Sequence, residues 1–468
     1  MGTEEKISSA NLRLILDKET SFKAADLFFA RNQIFKDFEN HYRNDEKDAA
    51  VELAEEFVLK FPSEKDILMA LYCSLLNNFG DSETADKIAM SIININEMLQ
   101  GFGERLYHLP KILDSTHLLF RFGEMVDQTL AVKSLQCLGN MVDKPVIPVP
   151  DLGQLAKGGY RVANASFIPY MSDVFEFVNE PTLSAYLEKI KGFSPFSSII
   201  CKYSENIWGS FHENYPKIER LMKSKNKKPA RFKLLETTKL AALNFLKDYG
   251  FKEGDDFAVL HLREKGYFDP EHHIFRNVNI ERYIEAIKYI IKNGLKIIRI
   301  GHPAMTPLPE IPGLIDVTKS KGTGHVDIFA CSEAKFYYGS SSGPFSLALA
   351  FDTPVACCAS LPYTQLRTNS VSELQPLYDS ETSTKLNIKE IERRRVQTLS
   401  TPIPLKQANV FPGELSSEQN LALAKDILDF IEGGPLVKEN KEFEKKKIRL
   451  GMDTDCLLTR NSLELLNS

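Results

Sequence analysis

The chain has few of the features that mark secreted, metal-binding or membrane-spanning proteins. Its 468 residues include 7 cysteines, and no two of them form a Cys-x-x-Cys pair. Cysteine used this sparingly indicates reduced, buried thiols rather than disulfides or a zinc site. No apolar run approaches the roughly 18 residues of a membrane-spanning helix, and the charged N-terminal segment lacks the apolar core of a signal peptide. We expect a cytoplasmic protein, with peripheral attachment to the inner face of a membrane left open.

The chain also lacks a net positive charge and the common nucleotide-binding signatures. The 58 lysines and arginines are outnumbered by 63 aspartates and glutamates, which gives a net charge of −5 and no global attraction for nucleic acid. The chain has no P-loop, no glycine fingerprint with a ribose-binding carboxylate, and no Asp-x-Asp motif within residues 257–359. These absences argue against a P-loop NTPase, a nicotinamide-dependent dehydrogenase and a metal-bridged nucleotide site.

The N-terminal region, residues 1–143, has a helical pattern. Apolar residues recur at helical spacing, as at Ala50, Leu53, Ala54 and Phe57. Short helical segments are separated by the dipeptides FP and GD. Two interpretations stay open, one or two tetratricopeptide-type units and an ordinary helical bundle. Because fewer than three repeats would not be stable alone, we expect this region to pack on the rest of the protein and to offer a surface to a protein partner.

Two α/β domains are predicted next, over residues 144–250 and 251–433, with a charged tail over 434–468. In the second domain the runs FAVLHLR, KIIRIG, LIDV, KFYYG and PVACC alternate with helical patterns, which predicts a parallel sheet. The tail is expected to be a loosely held helix or disordered. The basic run Lys223–Lys228 is interpreted as a solvated linker rather than a nucleic-acid site.

Polar residues follow three of these predicted strands. The GSSSGP segment, Gly339–Pro344, follows a strand and opens a helix, so its N–H groups and hydroxyls would form a cradle for an anion. His261 and Arg263 alternate at the end of the first strand, where Arg263 could hold two phosphate oxygens. Arg299 stands at an equivalent strand end, shortly before Gly301.

The loop after the first strand contains the candidates for a general base. Glu264, Asp269, His272 and His273 all have suitable chemistry, and the sequence does not choose among them. The histidine pair also suggests a metal site. This interpretation is less favoured, because no third ligand follows at a suitable spacing. Arg276 in the same loop is interpreted either as a further phosphate ligand or as a surface arginine.

These motifs resemble a bacterial family of glycosyltransferases of GT-B type, and they are distantly similar to the fucosyltransferases that use a His-x-Arg motif. The resemblance covers roughly residues 145–430 and is most specific over 257–360. ANASFIPY also resembles the family's A-N-P-x-L stretch, with Ala165 where proline is expected. The matching residues are His261, Arg263, Glu264, Gly266, Tyr267, Arg276, Asn277, Ile280, Tyr283, Ala286, Ile287, Arg299, Gly301, Pro303, Met305, Asp327, Phe336, Gly339, Ser342 and Gly343.

The resemblance implies two Rossmann-like domains facing a cleft, preceded by the helical region. It implies a metal-independent hexosyl- or deoxyhexosyltransferase that uses a nucleotide-sugar donor and a glycan, lipid-linked or protein acceptor, as in surface polysaccharide synthesis. The implied catalytic residues are His261, Arg263 and Glu264. The implied donor-binding residues are Arg263, Arg276, Arg299, Gly301, Asp327, Ser340, Ser341, Ser342 and Gly343. The alternative is an interaction scaffold with a helical repeat module and a degenerate glycosyltransferase domain.

Overall fold

The structure is a computed structural model of the 468-residue chain. It describes residues 24–61, 66–75, 79, 81–106, 119, 121–139, 144–148, 162–178, 180–184, 200–204, 207–264, 275–399, 402–452 and 455–468. Five residues singled out in the sequence lie outside these ranges, namely Gly266, Tyr267, Asp269, His272 and His273.

Helices and strands alternate along most of the described chain. The helices are α1 Ala24–Arg43, α2 Lys47–Lys60, α3 Asp66–Ser74, α4 Ser82–Leu106, α5 Phe122–Leu138, α6 Ile168–Met171, α7 Phe211–Ser224, α8 Glu236–Lys247, α9 Ile284–Lys292, α10 Gly324–Glu333, α11 Gly343–Ala350, α12 Ile388–Arg393, α13 Pro402–Gln407, α14 Ser417–Ile431, α15 Leu436–Lys441, α16 Glu444–Arg449 and α17 Arg460–Asn467. The strands are β1 Val146–Pro148, β2 Glu176–Val178, β3 Ile200–Ser204, β4 Ile207–Ser210, β5 Phe257–His261, β6 Lys296–Arg299, β7 Leu314–Asp316, β8 Tyr337–Ser340, β9 Val355–Ser360, β10 Ser370–Leu374, β11 Leu377–Asp379, β12 Val410–Pro412 and β13 Leu457–Leu458.

The chain divides into two compact units. The first comprises Met1–Phe120, Leu135–Arg161 and Ser172–Ile218, and the second comprises Arg121–Ser134, Val162–Met171 and Glu219–Ser468. These units cut the chain differently from the predicted boundaries at 143, 250 and 433. The reason is that two short segments from the first 171 residues pack into the second unit.

The first unit contains the helices α1 to α4, which enclose an apolar core of their own. Ala50, Ala54 and Val58 of α2 are buried in it, one turn apart along a single face of the helix. The helix α4 begins after Asp81, whose carboxylate accepts hydrogen bonds from the Thr84 backbone N–H and the Tyr42 hydroxyl. The tetratricopeptide-type interpretation of these helices stays a prediction.

The strands described in the first unit form two small sheets. β1 pairs with β2 in parallel, with Ile147 opposite Phe177. β3 and β4 form an antiparallel pair, with Cys201 opposite Gly209. These pairs lie inside the predicted first Rossmann-like domain, and a complete Rossmann sheet there stays a prediction.

The second unit is built on a seven-stranded sheet in the order β13-β10-β9-β8-β5-β6-β7, in which every neighbouring pair is parallel. The predicted α/β architecture with a large parallel sheet is therefore confirmed. Side chains at Ala258 and Leu260 of β5 pack with α9 and α14 on one face of the sheet. Phe257 faces the other way and stacks on Phe329 of α10. Helices cover both faces, which explains why the strands read as continuous apolar runs.

The early segments of the second unit are held by polar and aromatic contacts. Asp127 of α5 is fully buried, and its carboxylate accepts from Arg367 Nη2 at 2.9 Å and from Ser346 Oγ at 3.0 Å. Phe167, in the 3₁₀ turn before α6, packs edge-on against Phe232 with ring centroids 5.4 Å apart. A boundary drawn from sequence periodicity could not include such distant pairings.

The C-terminal residues correct the expectation of a loosely held tail. α15, α16 and α17 fold around β13, which pairs with β10 and completes the sheet. The cause is visible at Lys447, which is buried although it belongs to the charged run. Its ammonium donates to Asn440 Oδ1 and to the Cys456 carbonyl, both at 2.7 Å. Satisfied hydrogen bonds of this kind allow a charged group to be buried.

Candidate functional site

The order of the strands reverses between β5 and β8. From β5 the chain proceeds outward to β6 and β7, then returns to β8 on the opposite side of β5 and continues outward to β9. Open α/β sheets bind ligands at the carboxyl ends of the strands beside such a reversal. At this point His261 pairs with Gly339. A Cβ atom on Gly339 would lie 1.9 Å from the His261 carbonyl oxygen, so only glycine allows this approach.

The GSSSGP segment lies at a strand-to-helix junction, as predicted, and its role as an anion cradle stays a prediction. β8 ends at Ser340 and α11 begins at Gly343, with Pro344 in its first turn. Ser340 Oγ accepts a hydrogen bond from the Arg263 backbone N–H at 2.9 Å, which ties the end of β5 to this junction. The first N–H groups of α11 have no partner within the helix and point toward the carboxyl edge.

Arg276 contacts the same junction, close to the charges of Arg263 and Arg121. Arg276 Nη2 donates to Ser341 Oγ at 3.3 Å. Burial, together with the positive charges of Arg263 and Arg121, lowers the pKa of Arg276 to about 10. Within the described part of the chain Arg276 has no carboxylate contact. Arg121 Nη1 lies 3.2 Å from Glu124 Oε1, whereas Arg276, which is close to the charges of Arg263 and Arg121, suits an anionic ligand.

Arg121 and the start of α5 were missed by the sequence analysis. The Cβ position of Gly343 lies 3.0 Å from the Gly123 nitrogen and 3.0 Å from Phe122 Cβ, so the first turns of α5 and α11 touch. Two positive helix ends therefore meet beside the arginines. The local signal was the Arg-Phe-Gly sequence at a helix start, which carries no indication of a partner more than 200 residues away.

His261 contacts Ser342 at the junction. Its side chain is buried, and Nδ1 lies 3.0 Å from Ser342 Oγ. The Tyr337 hydroxyl donates to the Ser340 carbonyl at 2.9 Å and lies 3.2 Å from Ser342 Oγ. Burial, followed by the charges of Arg299 and Arg263, lowers the pKa of His261 to about 4. The imidazole is therefore neutral at pH 7, and its contacts favour orienting Ser342.

Arg299 occupies a different setting from the other arginines. Its side chain is fully buried, with Nη1 2.8 Å from Asp316 Oδ2 and Nη2 3.6 Å from Glu264 Oε1. The other Glu264 oxygen accepts from the Thr306 backbone N–H at 2.6 Å. Direct contact of Arg299 with a ligand stays a prediction. The geometry favours an indirect role, in which Arg299 fixes the carboxylate of Glu264.

Gly301 follows β6, and Asp327 lies on α10. Gly301 has φ of +147°, and a Cβ atom there would lie 2.3 Å from Met305 Sδ. Asp327 is in the first turns of α10, and burial raises its pKa to about 7. Its Oδ1 is buried and has no hydrogen-bond partner among the described residues. Binding of a donor by either residue stays a prediction.

Two further properties bear on the site. Among the described residues no group of three or more His, Cys, Asp and Glu side chains could hold a metal ion. In the same part of the chain, no helix combines the length and the apolar character that crossing a membrane requires.

Comparison with known proteins gives a likeness at the level of solved structures alone. No family model matches the sequence, and no curated protein matches it. The chain is similar to a glycosyl transferase family 9 protein from Veillonella parvula DSM 2008, with 14% identity, a TM-score of 0.38, and coverage of 68% of this chain and 96% of that one. It is also similar to E. coli ADP-heptose LPS heptosyltransferase II, with 11% identity, a TM-score of 0.35, and coverage of 56% and 90%. These scores lie below 0.5, so the function is argued from the chain's own residues.

Proposed function

We propose that the protein is a glycosyltransferase that binds the diphosphate of a nucleotide-sugar donor at the β5–β8 junction. One observation carries the proposal: Arg276 contacts Ser341 at the junction, has no carboxylate contact among the described residues, and lies close enough to Arg263 and Arg121 for their charges to lower its pKa. The guanidinium groups and the N–H groups of the first turn are all donors without acceptor capacity. A group that carries two or more negative charges on adjacent oxygens matches this arrangement best.

Arg276, Arg263 and the first N–H groups of α11 would assist the departure of the nucleotide. As the bond from the sugar to the diphosphate breaks, negative charge accumulates on the leaving oxygen while the sugar carbon gains oxocarbenium character. Arginines and N–H groups already oriented toward that oxygen stabilise the transition state more than the ground state. Ser341 and Ser342 add hydroxyl donors, and His261 fixes the direction of Ser342.

The finer parts of the proposal come from the sequence resemblance. They are a GT-B arrangement with a second Rossmann-like domain, a hexosyl- or deoxyhexosyl donor, and a glycan, lipid-linked or protein acceptor in glycoconjugate or surface polysaccharide synthesis. Glu264 is the proposed catalytic carboxylate, and Arg299 and Asp327 are proposed to support donor binding. We propose that transfer needs no metal, which is tested by assaying the protein with and without a chelator.

The first experiment is a thermal-shift screen of nucleoside diphosphates and nucleotide sugars that span the common nucleobases. A ligand at about 100 times its Kd stabilises the folded state by about 2.7 kcal/mol, which a melting curve detects easily. Arg263→Ala should abolish the shift. Arg393→Ala is the matched control, because Arg393 is exposed and pairs with Glu390 on α12.

A second experiment measures hydrolysis or transfer of the donor that binds. Loss of turnover in Arg263→Ala with normal folding would support the proposal. If no nucleotide or nucleotide sugar shifts the wild-type melting curve, the proposal fails. If binding and cellular function are both unchanged in Arg263→Ala, the scaffold alternative is the better account.

A further inference from the structure

A basic segment, Arg220–Leu235, lies at the start of the second unit. It contains seven lysines and arginines and no acidic residue, although the whole chain carries a net charge of −5. Its central run, Lys223–Lys228, was interpreted from the sequence as a solvated linker. The structure holds the segment on the second unit, because the Phe232 side chain is buried and the Phe232 backbone N–H donates to the Ala350 carbonyl at 2.9 Å. The segment is therefore a fixed, positively charged surface.

Part of this positive charge is not matched by carboxylates. Lys223 Nζ lies 2.5 Å from Asp455 Oδ2, and Arg231 Nη1 lies 2.8 Å from Glu219 Oε1. Three other lysines of the segment are exposed and form no ion pair with a described residue. They are Lys225, Lys228 and Lys233. An excess of positive charge remains after the ion pairs are taken into account, and it suits an anionic partner.

Exposed leucines border the lysines. Leu235, two residues after Lys233, is 37% exposed, and its backbone N–H donates to the Tyr170 hydroxyl at 3.1 Å. Leu240, on α8, is 58% exposed. The only aromatic residue of the segment, Phe232, is buried, so the segment offers no ring on which a nucleic-acid base could stack. Lysines beside exposed aliphatic side chains suit a lipid bilayer, because its headgroups attract the charges and its interface accepts the apolar groups.

The segment and the candidate anion site lie at opposite ends of α11. Ala350, which accepts the hydrogen bond from Phe232, is the last residue of this helix, whereas the anion site surrounds its first residue, Gly343. A helix of eight residues is about 12 Å long. A surface that binds the segment therefore does not need to displace a ligand at the start of α11.

We propose that Arg220–Leu235, together with Leu240, forms a docking surface for a bilayer that contains anionic lipids. The lysine ammonium groups would lie among the lipid phosphates, and the two leucine side chains would enter the interface. Lysine fits this role because a lipid surface attracts charge and does not require the fixed bidentate geometry of arginine. The proposal goes beyond the transferase function and depends on neither nucleotide binding nor Arg276.

The test is co-sedimentation of the full-length protein with vesicles of phosphatidylcholine, alone or mixed with phosphatidylglycerol, in about 0.1 M salt. The first variant combines three substitutions in the segment, Lys225→Gln, Lys228→Gln and Lys233→Gln. Its matched control makes the same change in net charge at three exposed lysines that follow β11, Lys385→Gln, Lys389→Gln and Lys406→Gln. Circular dichroism and the melting temperature establish that each variant is folded.

A second variant, Leu235→Gln with Leu240→Gln, tests the apolar contribution. Its control is Ile403→Gln, because Ile403 is an exposed aliphatic residue on another helix, α13. Duplex DNA is added as a competitor in a parallel series, since it is a soluble polyanion without an apolar interface. Charge alone would bind both probes, whereas the leucines should contribute only on vesicles.

The wild type is expected to bind the anionic vesicles and not the neutral ones. It should be released in about 1 M salt, where the Debye length is about 3 Å. A lysine near an anionic surface strengthens binding about 5-fold, so the triple lysine variant should bind about 100-fold more weakly. The double leucine variant should bind about 10-fold more weakly, and both controls should bind like the wild type.

No binding of the wild type to anionic vesicles would overturn the proposal. Equal binding by the triple lysine variant and its lysine control would overturn it as well, because the effect would then reflect net charge and not this surface. Unchanged vesicle binding by the double leucine variant, or displacement of the protein from the vesicles by duplex DNA, would assign the segment to a soluble polyanion instead.

Discussion

Replacing Arg276 with methionine should make the ligand-free protein more stable while it weakens ligand binding. Methionine keeps the aliphatic stem and removes the charge. The fall in the Arg276 pKa from 12.5 to about 10, at about 1.36 kcal/mol for each pH unit, corresponds to at most about 3.4 kcal/mol of unfavourable free energy for the charged form. Burial is the largest cause, and repulsion from Arg263 and Arg121 acts in the same direction.

The net gain should be smaller than this limit. The variant loses the hydrogen bond from Arg276 to Ser341, worth about 1 kcal/mol, which leaves about 2 kcal/mol. That corresponds to a rise of roughly 2–4 °C in the melting temperature. In the complex, loss of a charge-assisted hydrogen bond of about 1.5–3 kcal/mol should raise the Kd for a nucleoside diphosphate by about 10- to 150-fold.

Urea unfolding and calorimetric titration of wild type and variant measure both effects. The control is Arg393→Met, which removes an exposed, paired arginine and should change neither quantity appreciably. An Arg276→Met protein that is less stable than the wild type would refute the claim that the cluster stores unfavourable charge. Unchanged affinity would separately refute the assignment of Arg276 to ligand binding.

Three further predictions concern stability. Burial raises the pKa of Glu373 to about 7, so the folded state binds a proton that the unfolded state has released. Its stability should therefore fall by at most about 3 kcal/mol as pH rises from about 4.5 to 7. Glu373→Gln should remove this dependence of the unfolding free energy on pH, as measured by urea unfolding, and an unchanged dependence would contradict the prediction. Asp127→Ala should cost about 3–5 kcal/mol, since it leaves Arg367 buried without its carboxylate, and a denaturation midpoint equal to the wild type's would disprove this. Gly339→Ala should give little folded protein by near-UV circular dichroism, because the new methyl group would meet the His261 backbone.

The sheet could be predicted where each strand is an uninterrupted apolar run. β5, β6, β8 and β9 satisfy this condition, and all four lie where the sequence pattern predicted strands. β10 was not predicted, because three of the five residues of SVSEL are polar although all five are buried. The Ser370 hydroxyl donates to the Arg367 carbonyl at 2.6 Å, which allows it to be buried. Such compensation depends on tertiary contacts and leaves no mark in the local sequence.

Candidate site residues could be predicted only where their position at the end of a strand places them at the carboxyl edge of the sheet. Arg263 and Ser341 follow strand ends, and the sequence predicted this place at the carboxyl edge for both, while their binding of a ligand stays a prediction. The rule that ligands bind at the carboxyl edge does not separate these residues from Arg299, the last residue of β6, whose side chain is buried and pairs with Asp316. Arg121 could not be predicted as part of the site, because the helix that follows it packs against α11 from a distant part of the chain.

The last strand of the sheet has a consequence for how the protein is made. β10 presents one open edge until Leu457 and Leu458 pair with it, and an unpaired edge invites association with other chains. During translation this edge therefore stays uncovered while some 80 further residues are synthesised after β10. At about 5–20 residues per second, this interval lasts several seconds. Nascent chains in this interval would be a natural target for holdase chaperones. Expression at lower temperature, or with such chaperones, should raise the yield of monomeric protein.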